Sequence, residues 1–168
     1  AIVWAKLSDE NDKIGGFIVS TKSPGFQVRN IDKKFSLNAS VTSELIMDQC
    51  VVPAKNRLNV LGLKGPFSCL NHARYGISWG ALGAAMACFD EAKQYALTRI
   101  QFDKPIASFQ LVQSKLTYML SEITKGQLLS YQLGRLKEKG LAFPQQISLA
   151  KMNNVSKALE IEIGRASC

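Results

Sequence analysis

The sequence has little of the chemistry on which most catalytic motifs depend. Its 168 residues include a single histidine, His72, and none of the four cysteines belongs to a C-x-x-C pair. His72 and the nearby Cys69 do not supply a full set of zinc ligands, so we predict no metal site. We expect the cysteines to be buried, reduced thiols.

Several common site motifs are also missing. The chain contains no G-x-G-x-x-G, no Walker A sequence, no H-E-x-x-H and no G-x-S-x-G. A Ser-His-Asp arrangement would have to use His72, which is better explained as a surface residue at a helix start.

Long hydrophobic runs are absent as well. The longest mostly apolar stretch, residues 77–89, is too short to span a bilayer, so we predict no transmembrane segment. The opening Ala-Ile-Val-Trp-Ala has neither a basic region nor a Met. We therefore expect no signal peptide here, and we expect the natural N-terminus to lie elsewhere.

The chain is basic, with 21 Lys and Arg against 13 Asp and Glu, a net charge of +8. Such a charge attracts polyanions. The basic residues are scattered, however, and no run exceeds Lys33-Lys34, which favours a solvated surface. A non-catalytic polyanion-binding or helix-docking module stays open as an alternative function.

The first part of the chain has the pattern of short strands. Pro24 and Gly25 suit the central positions of a type II turn. We predict strands at residues 2–7, 17–19, 26–31 and 44–52. Several short strands joined by turns predict an antiparallel sheet that closes on itself.

The period becomes helical from Phe67 onward. We predict that the first helix breaks at Asp103-Lys104-Pro105, and that Gly80 and Gly83 let a neighbouring backbone approach it closely. A second helix should run from about Ser108 to Lys139, with Gly140 as its C-cap. A third should run from about Gln145 to Ile163, with Pro144 in its first turn.

These patterns together predict an α+β chain. Residues 1–60 would form the second part of a β domain, a partial antiparallel β-barrel or sandwich. Residues 61–168 would form three helices of an up-and-down four-helix bundle. The open face of such an incomplete bundle should be apolar and should seek a partner helix or subunit.

Two clusters could bind an anionic ligand. The first, residues 67–75, is expected at a helix N-terminus, where free N–H groups and the forked donor Arg74 suit phosphate. The second places Arg99, Gln101 and Phe102, followed by Gln110, around a helix break, as a dinucleotide site would require. From the residues alone, a capped helix start and a dipole-complementing arginine are simpler explanations.

Both clusters lie in segments that resemble the acyl-CoA dehydrogenase family, most closely its glutaryl-CoA type. The resemblance runs over residues 1–162 and fades at residues 161–168. The segments that carry it are Lys34-Phe35-Ser36-Leu37-Asn38-Ala39-Ser40, Ile46-Met47-Asp48, Val52-Pro53, Ala73-Arg74-Tyr75-Gly76-Ile77-Ser78-Trp79-Gly80, Gln94-Tyr95-Ala96-Leu97-Thr98-Arg99-Ile100-Gln101-Phe102, Phe109-Gln110-Leu111, Leu133-Gly134-Arg135-Leu136-Lys137 and Lys151-Met152-Asn153-Asn154.

The resemblance implies two ligand sites. The residues implied to line a CoA-thioester channel are Phe67, Leu70, Asn71 and Arg74, with Asn71 and Arg74 as the polar contacts. The residues implied to bind FAD, that of a neighbouring subunit, are Arg99, Gln101, Phe102 and Gln110, with Phe102 near the adenine end.

The family reaction removes the α-proton of an acyl-CoA with a glutamate while the β-hydrogen leaves as hydride to the flavin. The glutaryl type then releases CO2 and gives crotonyl-CoA. The glutamate lies in a Tyr-Glu-Gly-type segment, which this sequence lacks, and we assign that role to neither Glu160 nor Glu162. We therefore predict no catalytic residue here and an inactive isolated chain.

The resemblance also implies partners and a location. These are an acyl-CoA substrate, a homo-oligomer (dimer or tetramer) and electron-transfer flavoprotein, with no nucleic acid and no membrane. The location would be the mitochondrial matrix in a eukaryote or the cytoplasm in a bacterium. A short-chain acyl-CoA oxidase of the same fold is the second enzymatic alternative.

Overall fold

Residues 1–165 are described by the computed structural model, and they form an α+β chain with two units. The first unit is Ala1–Ser68, and the second begins at Cys69. Helix α1, Lys64–Thr98, runs across this division. The domain boundary expected after residue 60 stays a prediction.

The first unit contains two antiparallel sheets. One has the order β1-β2-β5, formed by Ile2–Leu7, Lys13–Ile18 and Arg57–Leu61. The other pairs β3, Phe26–Asn30, with β4, Ser43–Met47. Trp4 lies opposite Gly16, where a Cβ atom would come 2.6 Å from the indole ring, so the small residue makes room for the large one.

The expectation of a sheet that closes on itself is wrong for residues 1–165. β2 pairs with β1 along one edge and with β5 along the other, so it has no edge left for β3. Each sheet therefore keeps open edges and no barrel forms in this part of the chain. The sequence pattern also failed to predict β5, and it placed the end of β4 too late, since that strand ends at Met47.

Two further helices follow α1 in the second unit. A short hairpin, β6 at Ile100–Gln101 and β7 at Lys104–Pro105, separates α1 from α2, Gln110–Glu138. Helix α3 is Pro144–Arg165. Lys139 is the C-cap residue of α2, and Gly140, with a φ of +68°, follows it and donates its N–H to the carbonyl of Lys137 at 3.0 Å. The predicted glycine stop is therefore correct, one position beyond the C-cap.

The three helices pack in an up-down-up arrangement. One core cluster joins Ala85 of α1 to Ile123 of α2 and Ala158 of α3. A second joins Leu133, near the end of α2, to Ile147, near the start of α3, with Tyr75 of α1 packed against them. The part of α1 around Tyr75 thus meets the end of α2 and the start of α3, as neighbouring helices in an up-and-down bundle do.

A neighbouring backbone was predicted to approach α1 closely at Gly80 and Gly83, but the close approach between helices occurs at a glycine of α2. A Cβ atom at Gly80 or Gly83 would meet no other atom of the described residues within 4 Å, whereas one at Gly126 of α2 would come 2.6 Å from Leu82 and 3.0 Å from Asn154. Gly126 is therefore the point at which α1 and α3 both press against α2.

The open face of the bundle is apolar, as predicted. Helix α3 buries one stripe but exposes a second, formed by Leu149, Met152, Leu159 and Ile163. We call these four residues the outer stripe of α3. Among the helices of residues 1–165, none is long and apolar enough to cross a membrane.

Candidate functional site

The first cluster lies within α1, not at its N-terminus. The helix begins at Lys64, and the N–H of Phe67 already donates to the carbonyl of Leu63 at 3.0 Å. Pro66 fits the first turn because the N–H groups there have no partner within the helix. The expectation of free N–H groups at residues 67–75 is therefore wrong, and any phosphate recognition there must come from side chains.

Those side chains share part of one helix surface. Phe67 and Leu70 are exposed, at 48% and 44%, while Asn71 and Arg74 are half-buried. A guanidinium N–H of Arg74 donates to Oδ1 of Asn71 at 3.2 Å. The amide thus helps to orient the guanidinium, which has several donors in a planar fork for an anionic ligand.

A second cation that sequence reasoning missed lies beside this cluster. Nζ of Lys137, on α2, lies 5.3 Å from the centre of the Tyr75 ring, next to Arg74 in the chain. Gly134 makes room for that ring, because a Cβ there would collide with the Tyr75 hydroxyl. No local signal could have predicted Lys137, since the approach depends on helix packing.

The second cluster forms the hairpin between α1 and α2. Phe102 and Asp103, with φ of +52° and +63°, occupy the tip, as in a type I′ turn. Phe102 is 85% exposed, and its ring meets Phe109 edge-to-face at 6.1 Å. The buried Ile106 anchors the hairpin, and its N–H donates to the carbonyl of Arg99 at 2.9 Å.

The residues predicted to bind a dinucleotide all lie within or directly beside this one connection. Arg99 directly follows α1, Gln101 lies on the first strand of the hairpin, Phe102 lies at its tip, and Gln110 opens α2. Among residues 1–165, no side chain caps the N-terminus of α2. The free N–H groups expected near Phe67 therefore occur at Gln110, at the positive end of a helix dipole.

The two clusters lie far apart along α1. Arg74 and Arg99 are separated by 25 residues of the chain, almost all helical, which at the rise of an α-helix is about 37 Å. That distance is about the diameter of a small domain. One copy of this chain therefore cannot close both clusters around the same small pocket.

Glu160 is unsuited to act as a base. Its carboxylate accepts hydrogen bonds from Lys157, at 2.7 Å, and from the hydroxyl of Tyr118. These bonds lower the pKa of Glu160, Lys157 having the larger effect, whereas a general base at neutral pH needs a raised one. Glu162 is exposed on the same helix.

The expected cysteine burial is only partly correct. Cys50 and Cys88 are half-buried free thiols, but Cys69 is exposed because it lies on the outer surface of α1. Cys168 lies outside the described residues. Within residues 1–165, no group of His, Cys, Asp and Glu side chains could hold a metal ion.

Comparison with known proteins decides the family. A model described as "Acyl-CoA dehydrogenase, C-terminal domain" matches residues 62–162, more than half of the chain. The chain belongs to the acyl-CoA dehydrogenase family. That acyl-CoA dehydrogenase domain contains the whole of α1, the hairpin, α2 and most of α3.

Individual acyl-CoA dehydrogenases give the same result. A Dictyostelium discoideum protein, "Probable short/branched chain specific acyl-CoA dehydrogenase", is 39% identical over 83% of this chain and 34% of its own length. A glutaryl-CoA dehydrogenase structure from Mycobacterium smegmatis has a TM-score of 0.93 and 48% identity, covering 99% of this chain and 43% of its own. A second, in complex with FADH2, has a TM-score of 0.92 and 45% identity over the same shares of the two chains. The chain thus spans less than half of these relatives.

Proposed function

We propose that this chain is part of an FAD-dependent acyl-CoA dehydrogenase of the glutaryl-CoA type. The parent enzyme would oxidise the α,β bond of glutaryl-CoA and release CO2 to give crotonyl-CoA. The observation that carries the proposal is the similarity, at 48% identity over 99% of the chain, to a glutaryl-CoA dehydrogenase structure.

In this proposal, α1 binds the CoA thioester. Phe67 and Leu70 offer apolar surface to the acyl and pantetheine chain, while Asn71 and Arg74 offer an amide and a forked cation to its polar and phosphate groups. Lys137 adds positive charge nearby from α2. Burial of this surface under the ligand would strengthen these charge-assisted bonds.

The hairpin is proposed to hold FAD, and its residues fit that group. Arg99 and the uncapped start of α2 suit a pyrophosphate, Gln101 and Gln110 supply amide donors, and the exposed Phe102 ring can pack on a flat base. The flavin, when bound, supplies hydride chemistry. The chain's own residues bind and orient it.

The separation of the clusters supports a homo-oligomer. Since about 37 Å divides Arg74 from Arg99, we propose that the hairpin of one copy serves the flavin site of another copy, as a dimer or tetramer allows. Electron-transfer flavoprotein is the proposed acceptor. We propose the mitochondrial matrix or the bacterial cytoplasm as the location.

The chain is proposed to position ligands without abstracting the proton. Its sequence contains no Tyr-Glu-Gly segment, and Glu160 is held ionised by Lys157 and Tyr118. The base of the parent enzyme would therefore be supplied by residues other than these 168. We expect the isolated chain to bind CoA thioesters and FAD weakly and to turn over nothing.

Calorimetric titration of the purified chain with CoA, and separately with FAD, tests this proposal. We expect Arg74→Ala to weaken CoA binding about tenfold, the effect of one lost charge-assisted bond. Arg99→Ala should weaken FAD instead. Lys93→Ala removes another exposed cation of α1 and should change neither affinity.

Two results would overturn parts of the proposal. Equal CoA affinity of Arg74→Ala and the unsubstituted chain would show that the first cluster is not the CoA site. Reduction of a dye by the chain with glutaryl-CoA would show that it contains a base after all.

A further inference from the structure

A buried polar cluster joins all three helices. Ser78 of α1, Ser130 of α2 and Asn154 of α3 are each 0% exposed. The side-chain amide of Asn154 donates to Ser130 Oγ at 2.9 Å and to the Ser78 carbonyl at 3.2 Å. The two serine hydroxyls lie 3.3 Å apart, and that of Ser78 also donates to the carbonyl of Tyr75 at 2.7 Å.

The cluster lies where the helices are closest. Gly126 of α2 has no room for a side chain, because Leu82 of α1 and Asn154 of α3 fill the space beside it. Asn154 is itself held, since Asn153 donates to its Oδ1 at 3.0 Å. The Asn154 amide therefore has one well-defined orientation, and a rotation of α1 about its axis would break its bond to Ser78.

Ser78 shares a helix face with the proposed CoA contacts. Arg74 precedes it by four residues and Asn71 by seven, so both lie within about 40° of Ser78 around the α1 axis. A side chain on α1 points where the rotation of the helix directs it. A contact that fixes the rotation of α1 at Ser78 therefore also fixes the directions of the Arg74 side chain, one turn earlier, and of the Asn71 side chain, two turns earlier.

Apolar contacts hold that rotation at only a few points, among them Leu82 against Gly126 and Tyr75 against Gly134. The α1 residues that line the core are mostly small, among them Ala85, Ala92 and Ala96. Small side chains give a smooth surface on which a helix can rotate or slide at little cost. A buried amide, in contrast, tolerates only the arrangement that satisfies it, as buried asparagines that set register in coiled coils do.

We infer that Asn154 is a positioning residue for the CoA contacts: through Ser78 it fixes the rotation of α1 and so directs Asn71 and Arg74. The identity of the ligand, CoA, rests on the proposed function, whereas the effect of Asn154 on the rotation of α1 does not depend on it. Asn154 lies on α3, so its effect on Asn71 and Arg74 would pass through α1.

The test compares Asn154→Leu and Ser130→Ala with Ile161→Val, all in the complete chain. Ile161 is equally buried on α3 but lies outside the polar cluster, so its variant loses packing without losing the amide contact. Circular dichroism first confirms that each variant is folded. The readouts are the backbone amide resonances of residues 71–78 without ligand, and the dissociation constant for CoA.

Asn154→Leu and Ser130→Ala should keep their helix content but give doubled or broadened resonances at residues 71–78. Their CoA affinity should fall about tenfold, within the range of couplings between residues that share a hydrogen-bond network or a backbone shift. Ile161→Val should show neither effect. Should Asn154→Leu not fold, Ser130→Ala decides, since it removes only a hydroxyl.

Narrow single resonances and the CoA affinity of Ile161→Val in the two cluster variants would overturn the inference. If the unsubstituted chain binds no CoA, the proposed function fails instead. The resonances then decide alone, because doubling at residues 71–78 still shows that Asn154 sets the rotation of α1.

Discussion

The Lys157–Glu160–Tyr118 group shows how far single residues can be understood from the sequence. Lys157 and Glu160 lie three residues apart on α3, a spacing that predicts an ion pair. Tyr118 comes from α2, and its hydroxyl bonds the same carboxylate. The spacing of Lys157 and Glu160 is thus enough to predict their ion pair. The bond from Tyr118 cannot be predicted in this way, because it depends on how α2 packs against α3.

This group should make the free energy of unfolding depend on pH. The bonds from Lys157 and Tyr118 lower the pKa of Glu160 from its ordinary 4.5 in the folded chain. The stabilisation is therefore complete above pH 4.5 and is lost as the pH falls through the lowered pKa. Because the group is exposed, the effect should be small.

Thermal unfolding followed across this range tests the effect. Glu160→Gln should unfold at a lower temperature than the unsubstituted chain at neutral pH, and the difference should vanish once the carboxylate is protonated. Glu162→Gln, an exposed carboxylate of the same helix, is the control and should show no such dependence. A difference that stays constant with pH would refute the role of the carboxylate charge.

At the scale of elements, the sequence predicted the features that depend only on residues close together in the chain. β1 matches its prediction at residues 2–7, and Gly140 ends α2 as expected, because strand period and left-handed caps are properties of short segments. The partners of β2 were not predictable, since a strand's pattern does not say which strand lies at each edge. The start of α1 was missed because Gly65-Pro66 looks like a helix breaker, although proline is tolerated in a first turn.

Glycines within helices give an element-scale prediction. Gly80 of α1 faces open space, so Gly80→Ala should raise the free energy of unfolding by about 1 kcal/mol through helix propensity alone. Gly126→Ala gains the same propensity but forces a methyl group against Leu82 and Asn154. Overpacking costs about 1–3 kcal/mol, so this variant should be net destabilised.

Urea unfolding of both variants, at concentrations where the chain is monomeric, measures the two effects. The paired design matters because the substitution is chemically the same and only the surroundings differ. Equal shifts for Gly80→Ala and Gly126→Ala would mean that the three helices do not meet at Gly126.

At the scale of the whole molecule, the outer stripe of α3 predicts that the chain associates in solution. Its four apolar residues, with the polar Ser156 between them, follow one another at intervals of three and four residues, the spacing of a coiled-coil seam. The opposite side of α3 is already buried against α1 and α2. A helix that is apolar on both sides is normally covered on both sides.

We expect a second copy of the chain to cover this stripe, because the proposed sharing of a flavin site between copies also needs a homo-oligomer. Two copies of one seam can pack against each other about a twofold axis. Leu159→Glu places a charge in the middle of that contact and should convert the oligomer into a monomer without loss of helix content. Sedimentation equilibrium of the chain and of this variant gives both masses.

The matched control is Gln132→Glu, which adds the same charge at an exposed position of α2, off the stripe, and should leave the mass unchanged. A monomeric unsubstituted chain, or an oligomer that survives Leu159→Glu, would exclude the stripe as the contact between copies. In the first case the hairpin of this chain could not reach the flavin site of another copy through this surface. The shared-site arrangement would then need a contact built from other residues.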